Sequence, residues 1–120
     1  MTIGAETSPT ESSGRCEGNV VMTELLVIAH WTIAPGQEET VRGLLPEFLA
    51  ASNAEPGCIS FVGYQQLDDA RTIVLIERYA SREAFEAHRD TPHFKELALD
   101  QIVPRLERRV VDTYDVPAAG

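Results

Sequence analysis

RTIVLIERYASREAFEAHRDTPHF, residues 71–94, decides how this chain folds. Residues 72–79 are rich in β-branched and aromatic side chains and predict a strand ending on Glu77, Arg78 and Tyr79. Ser81 then suits a helix N-cap, because its hydroxyl can accept a first-turn N–H. Glu83 places negative charge at the positive end of that helix. Ala84, Phe85 and His88 are three and four residues apart, so one helical face carries them. Thr91-Pro92 reads as a second cap with proline at the first helical position, and His93 and Phe94 follow. The stretch is therefore strand, turn, short helix, new helix, with one acid, one tyrosine and two histidines placed to converge.

Upstream, residues 24–34 form a nearly continuous apolar strand, so both of its faces are expected to be covered. Alternation puts Val27, Ala29, Trp31 and Ile33 on one side and Leu26, Ile28, His30 and Thr32 on the other. Pro35-Gly36 ends it. Residues 37–52 show helical spacing in Val41, Leu44, Leu45, Phe48 and Leu49, and Pro46 is expected to kink or divide that helix. NAEPG, residues 53–57, reads as a turn leading into a strand over 58–66, and Asp68-Asp69 as the link of a hairpin. Downstream, residues 94–106 suit a helix, with a doubtful last turn at Pro104, and residues 108–116 a final strand.

Residues 1–22 are mostly Thr, Ser, Glu and Gly, and read as a flexible extension. Residues 23–116 make one domain and 117–120 a short tail. The order is β-α-β-β-α-β. A right-handed strand–helix–strand crossover places both helical layers on one face of an antiparallel sheet, which is the ferredoxin-like α+β plan. The other face is left bare yet apolar. A second copy related by a two-fold axis is the simplest cover, which predicts a homodimeric α+β barrel.

The 120 residues carry a formal net charge of −9. Phosphate recognition needs clustered Lys and Arg, so nucleic acid is not an expected partner. No apolar run approaches the roughly 20 residues of a membrane span, and no secretory pattern is evident, so a cytoplasmic protein without membrane contact is expected. Two cysteines, Cys16 and Cys58, do not make a disulfide framework. No Gly-rich phosphate loop or nucleophile elbow occurs, and no cofactor is expected. His88 and His93 stand five apart across a proline, unlike the i, i+4 pair of a helical metal site, so no metal is expected either.

VIAHWTIAPGQ at the first strand, EPGC before the second, and IERYASREAFEAHRDTPHF in the centre together resemble the antibiotic biosynthesis monooxygenase family. The resemblance runs over about residues 25–116. It implies a small dimeric ferredoxin-like protein. Several such proteins oxidise quinols or polyketide-derived anthrones with molecular oxygen and neither metal nor flavin. The haem-degrading branch uses an Asn, a Trp and a His at positions that here look like Ala29, Tyr79 and Ala98, so haem chemistry is not implied. The same comparison implies that Ala29, Trp31, Glu77 and Tyr79 look toward a cavity between sheet and helices, and His30 and Arg78 into the intersubunit barrel.

Oxygenation without a cofactor needs a general base, donors for a developing oxyanion and a dry pocket. His88 or His93 is the expected base and Glu77 its partner. Trp31, Tyr64, Tyr79 and Phe94 are the expected substrate-binding wall. The same groups also suit a buried hydrogen-bond cluster tying helix to sheet. Arg78 is expected to pair with Asp112 or Asp115. Arg105, Arg108 and Arg109 read as a solvated cluster near a helix C-terminus. Two other functions share this scaffold: a dimeric barrel that holds a small hydrophobic metabolite, and an isomerase or cyclase acting on a carbonyl compound.

Overall fold

The structure, a computed structural model, describes residues 23–117. Residues 1–22, with Cys16, and residues 118–120 lie outside the described residues. The elements run β1 (Thr23–Ile33), α1 (Glu38–Asn53), β2 (Cys58–Gln66), β3 (Asp69–Tyr79), α2 (Arg82–Arg89), the π-helix α3 (Phe94–Ile102), a 3-10 turn (Val103–Arg105) and β4 (Leu106–Pro117). Every strand pairing is antiparallel and the sheet order is β2-β3-β1-β4, the ferredoxin-like arrangement. No helix among the described residues is long and apolar enough to cross a membrane.

The strands alternate as their sequence demands. Leu25, Val27, Ala29, Trp31 and Ile33 of β1 are buried against the helices, and the residues between them face the opposite side. Phe61, Ile73, Leu75 and Tyr79 continue this inner face, and α1 covers it with Val41, Leu45 and Phe48. Phe48 meets Phe61 edge-on at 5.5 Å between ring centroids. Each such phenyl ring contributes about 1.5–3 kcal/mol on leaving water.

Pro46 does not divide α1, which is continuous from Glu38 to Asn53. The proline frees one carbonyl, that of Arg42. Both residues are exposed, so water can take its place. Asn53 fastens the end of α1 to β2. Its Nδ2 donates to the Phe61 carbonyl at 2.8 Å and its Oδ1 accepts the Phe61 N–H at 3.0 Å. Ser81 caps α2 as expected, accepting the Ala84 N–H at 3.1 Å. Thr91 caps the following turn, accepting the Phe94 N–H at 3.2 Å while donating to the His88 carbonyl at 2.7 Å.

Arg78 departs from expectation. Its guanidinium donates to Glu24 at 2.5 Å, and Asp115 instead pairs with Arg82. Glu24 lies beside Arg78 on the open face, whereas Asp115 is opposite Leu25 and shares the inner face. The three arginines after Pro104 also separate. Arg105 donates to the Gln101 carbonyl, Arg108 is exposed beside His30 and Thr72 on the open face, and Arg109 faces the helices.

Candidate active site

A cavity of about 260 Å³ opens between the inner sheet face and the helices. The register builds its floor. Thr113, Val27 and Glu77 lie in one row across β4, β1 and β3, and Val111, Ala29 and Leu75 in the next. Trp31 and Phe48 close one wall; Phe85, His88 and Phe94 form the roof. The setting is apolar, with a few polar groups aimed into it, as small-ligand sites generally are.

His88 is 2% exposed. Its Nδ1 lies 2.7 Å from Oε2 of Glu55, which sits in the turn before β2. His93 brings Nε2 to within 2.5 Å of the same oxygen. A continuous helix would turn residues 88 and 93 some 140° apart, since each step is about 100°. The break at Thr91-Pro92 re-aims the second ring so that both reach one carboxylate. With both imidazoles donating to Glu55, the tautomer of His88 is fixed and its Nε2 keeps a lone pair. Among the described residues Nε2 makes no hydrogen bond, and the ring forms part of the cavity wall. Burial holds the His88 pKa below its ordinary value, although Glu55 pulls the other way. The ring is thereby kept neutral, the form a base requires.

Glu77 is 5% exposed and faces the cavity floor. Tyr79, two residues on and fully buried, donates its hydroxyl to Glu77 Oε1 at 2.6 Å. Burial raises the Glu77 carboxyl to about 7, against the lowering influence of the Tyr79 hydroxyl and Arg109. Burial likewise holds the Tyr79 hydroxyl protonated, with Glu77 beside it adding to the effect. Two proton-handling groups, His88 and Glu77, therefore share one apolar space.

Glu55, His88 and His93 are also the residue types of a metal centre, and their ligand atoms lie within 4.8 Å of one another. The distances are those of a hydrogen-bonded cluster. Ligands on one tetrahedral ion at about 2.0–2.1 Å stand roughly 3.3 Å apart, whereas Oε2 is 2.7 and 2.5 Å from the two nitrogens. These are hydrogen bonds, and an ion would have to push the three groups apart.

The sequence profile of the antibiotic biosynthesis monooxygenase family matches residues 25–98. This chain belongs to that family. Rv0793 of Mycobacterium tuberculosis, named "Putative monooxygenase Rv0793", is 38% identical over 68 residues, 57% of this chain and 66% of that protein. Its solved structure aligns with a TM-score of 0.70 at 33% identity, over 76% of this chain and 92% of the other. PA3566 of Pseudomonas aeruginosa gives 0.72 at 29% identity, over 80% and 96%. An uncharacterized Synechocystis protein, sll1783, is 29% identical over 72 residues, 60% of this chain and 49% of its own length. The chain thus spans about two thirds and about half of these two curated relatives.

Within this family member, the residues singled out in the sequence separate. His88, Glu77, Trp31 and Phe94 line the cavity. His93 stands behind Glu55 and outside the lining, and Tyr79 reaches the site only through Glu77. The expected Glu77–histidine pairing does not occur: both histidines bond Glu55, and Glu77 bonds Tyr79. Tyr64 is 54% exposed on the opposite sheet face, beside Val74, and is no part of the wall. Phe61 points inward, so strand alternation sends Tyr64 outward. Ala29 lines the cavity while Ala98 is buried, and neither offers an axial ligand to haem iron.

Glu55, Phe48, Phe85, Arg89 and Arg109 were not expected in the site. Glu55 is 33 and 38 residues from its histidines. The turn that carries it is pressed against α2, since a Cβ at Gly57 would come within 2.4 Å of the Ala84 Cβ. Cys58, half-buried, has its thiol pushed up to about 11 by burial and by the charges of Glu55 and Glu77, which makes it a poor nucleophile.

Proposed function

We propose that this protein is a cofactor-independent monooxygenase that oxidises a small quinol-like or polyketide-derived aromatic with molecular oxygen. The observation that carries this reading is His88, neutral, oriented by Glu55 and bordering an apolar cavity. Nε2 takes the proton of a phenol or of an acidic ring C–H. The electron-rich anion then reduces oxygen, and a carbon–oxygen bond forms. One oxygen atom stays on the ring, the other leaves as water, and the substrate loses two hydrogens. Glu77, with its carboxyl raised to about 7, can return a proton to the departing oxygen near neutral pH. The volume of about 260 Å³ is below the roughly 300–1,000 Å³ of sites for drug-sized ligands and suits a flat molecule of up to three fused rings.

The working unit in this proposal is a homodimer. The open sheet face presents Val62, Tyr64, Tyr114 and Val116, all 38–54% exposed, around Leu26, Ile28, Val74 and Ile76. A second copy of the same face covers them most simply. Light scattering should give twice the chain mass, and a monomer would refute the barrel.

Turnover is tested with naphthohydroquinones and anthrones under air, under ¹⁸O₂ and under argon. The expected result is one labelled oxygen per product and no product under argon. Product formed equally without oxygen would replace the oxygenase by an isomerase or cyclase. Binding without any turnover would leave a carrier of small apolar metabolites.

A further inference from the structure

Arg89, at the end of α2, and Arg109, on β4, both line the cavity and both are exposed, so they stand at its mouth. Neither makes a side-chain hydrogen bond or ion pair among the described residues, although the sequence holds 19 acidic residues. The other inner-face or edge arginines are engaged: Arg42 with Gln65, Arg71 with Glu107, Arg82 with Asp115, Arg105 with the Gln101 carbonyl. Arg89 is also held in place, its guanidinium 5.8 Å from the centroid of the Phe85 ring, a cation–π contact that leaves its N–H donors free. Arg109 sits opposite Trp31 in the sheet, next to the cavity floor. Among the described residues, Glu77 is the one acid lining the cavity. It gives its Oε1 to Tyr79.

We propose that the substrate is an aromatic acid, with Arg89 and Arg109 taking its carboxylate at the mouth while its hydroxyl or acidic carbon lies at His88. This rests on the reading of the cavity as a substrate site and adds a specificity. A guanidinium presents a planar fork of N–H donors that matches a carboxylate, and two of them at the edge of an apolar slot select a flat ring bearing an acid at its rim. The neutral ring fills the wall of Trp31, Phe85 and Phe94 and orients the reacting end inward. Asp90, adjacent to Arg89, is exposed and makes no ion pair with it.

The test pairs 3-hydroxy-2-naphthoate with 2-naphthol in titration calorimetry on the full chain. The acid should bind at least about 10-fold tighter than the naphthol, in keeping with charge-assisted hydrogen bonds. Arg89→Gln and Arg109→Gln should each weaken the acid about 10-fold or more and weaken 2-naphthol far less, and salt should weaken the acid alone. Both side chains are exposed, so folding should survive, and thermal melts check this. Equal affinity for the two probes, equal losses for both in the variants, or no binding of either overturns the proposal. Arginine-dependent binding of the acid together with no oxygen consumption on 1,4-dihydroxy-2-naphthoate would keep this site and defeat the oxygenase. Oxygen consumption on 1,4-dihydroxynaphthalene with no preference for its carboxylate would do the reverse.

Discussion

Two carboxylates, one lining the cavity and one behind its histidine, are built in opposite ways. Glu77 and Tyr79 are two residues apart on β3, so the strand alone puts them on one face and within 2.6 Å. Glu55 meets His88 and His93 only because a turn, α2 and the start of α3 are folded together. The chemistry differs accordingly. The local pair sits in apolar surroundings at the cavity floor, and its acid is pushed toward protonation. The long-range cluster gives its acid two imidazole donors, which lets that acid serve as an acceptor and leaves one imidazole nitrogen available as a base. Proximity in sequence thus produces a buried pair, and assembly from three elements produces an oriented base.

Breaking the assembled cluster should have the largest effect. His88→Ala removes the base and should lower the rate of oxygen-dependent turnover by about 10²–10⁴-fold, measured as oxygen uptake. In the unaltered protein the rate should fall on the acid side of pH 6.5, because the His88 pKa lies below that ordinary value and only the neutral ring accepts a proton. A rate limb centred above pH 6.5 would assign the base elsewhere.

The local pair sharpens the contrast through stability. Glu77 has a folded pKa of about 7 against an ordinary 4.5, so the folded state holds its proton more tightly than the unfolded chain. Its contribution is full below pH 4.5 and is lost as pH rises through about 7. The loss is on the order of 3 kcal/mol at most, at 1.36 kcal/mol per pKa unit. Glu77→Gln keeps an acceptor for Tyr79 and should flatten that dependence. Denaturant titrations at pH 5 and pH 8 would measure it, and a variant with the same pH slope as the parent would remove Glu77 from the account.

Next comes Glu55→Gln, which keeps the shape but weakens the acceptor that fixes the His88 tautomer. Turnover should drop by about 10- to 100-fold, less than on loss of the base itself. A smaller change still is expected at Ser81→Ala. It removes the α2 cap and should cost about 1 kcal/mol in chemical denaturation, with little effect on rate per folded molecule.

The same contrast governs how much could be read from the residues. Strand alternation, the Ser81 and Thr91 caps and the β-α-β-β-α-β order are local or periodic features, and they place Trp31 and Glu77 on the inner face and Phe94 at the start of the helix over it. Alternation applied from Phe61 would also have sent Tyr64 to the outer face. Glu55 carried no such mark. It stands in a turn whose Pro and Gly explain themselves, and nothing in its spacing points to residues 88 and 93. Arg109 was hidden among three arginines that the turn into β4 directs to three different surroundings.

Trp31 is the sole tryptophan of the chain, and it stands in the cavity wall with its ring plane 27° from that of Phe48 and its N–H unmatched among the described residues. Excited at the red edge, where tyrosine does not absorb, the protein therefore emits only from the edge of the space where a ligand would lie. Any aromatic guest changes the polarity around that single indole. The molecule carries its own optical gauge of occupancy, free of label, and it reads one location only.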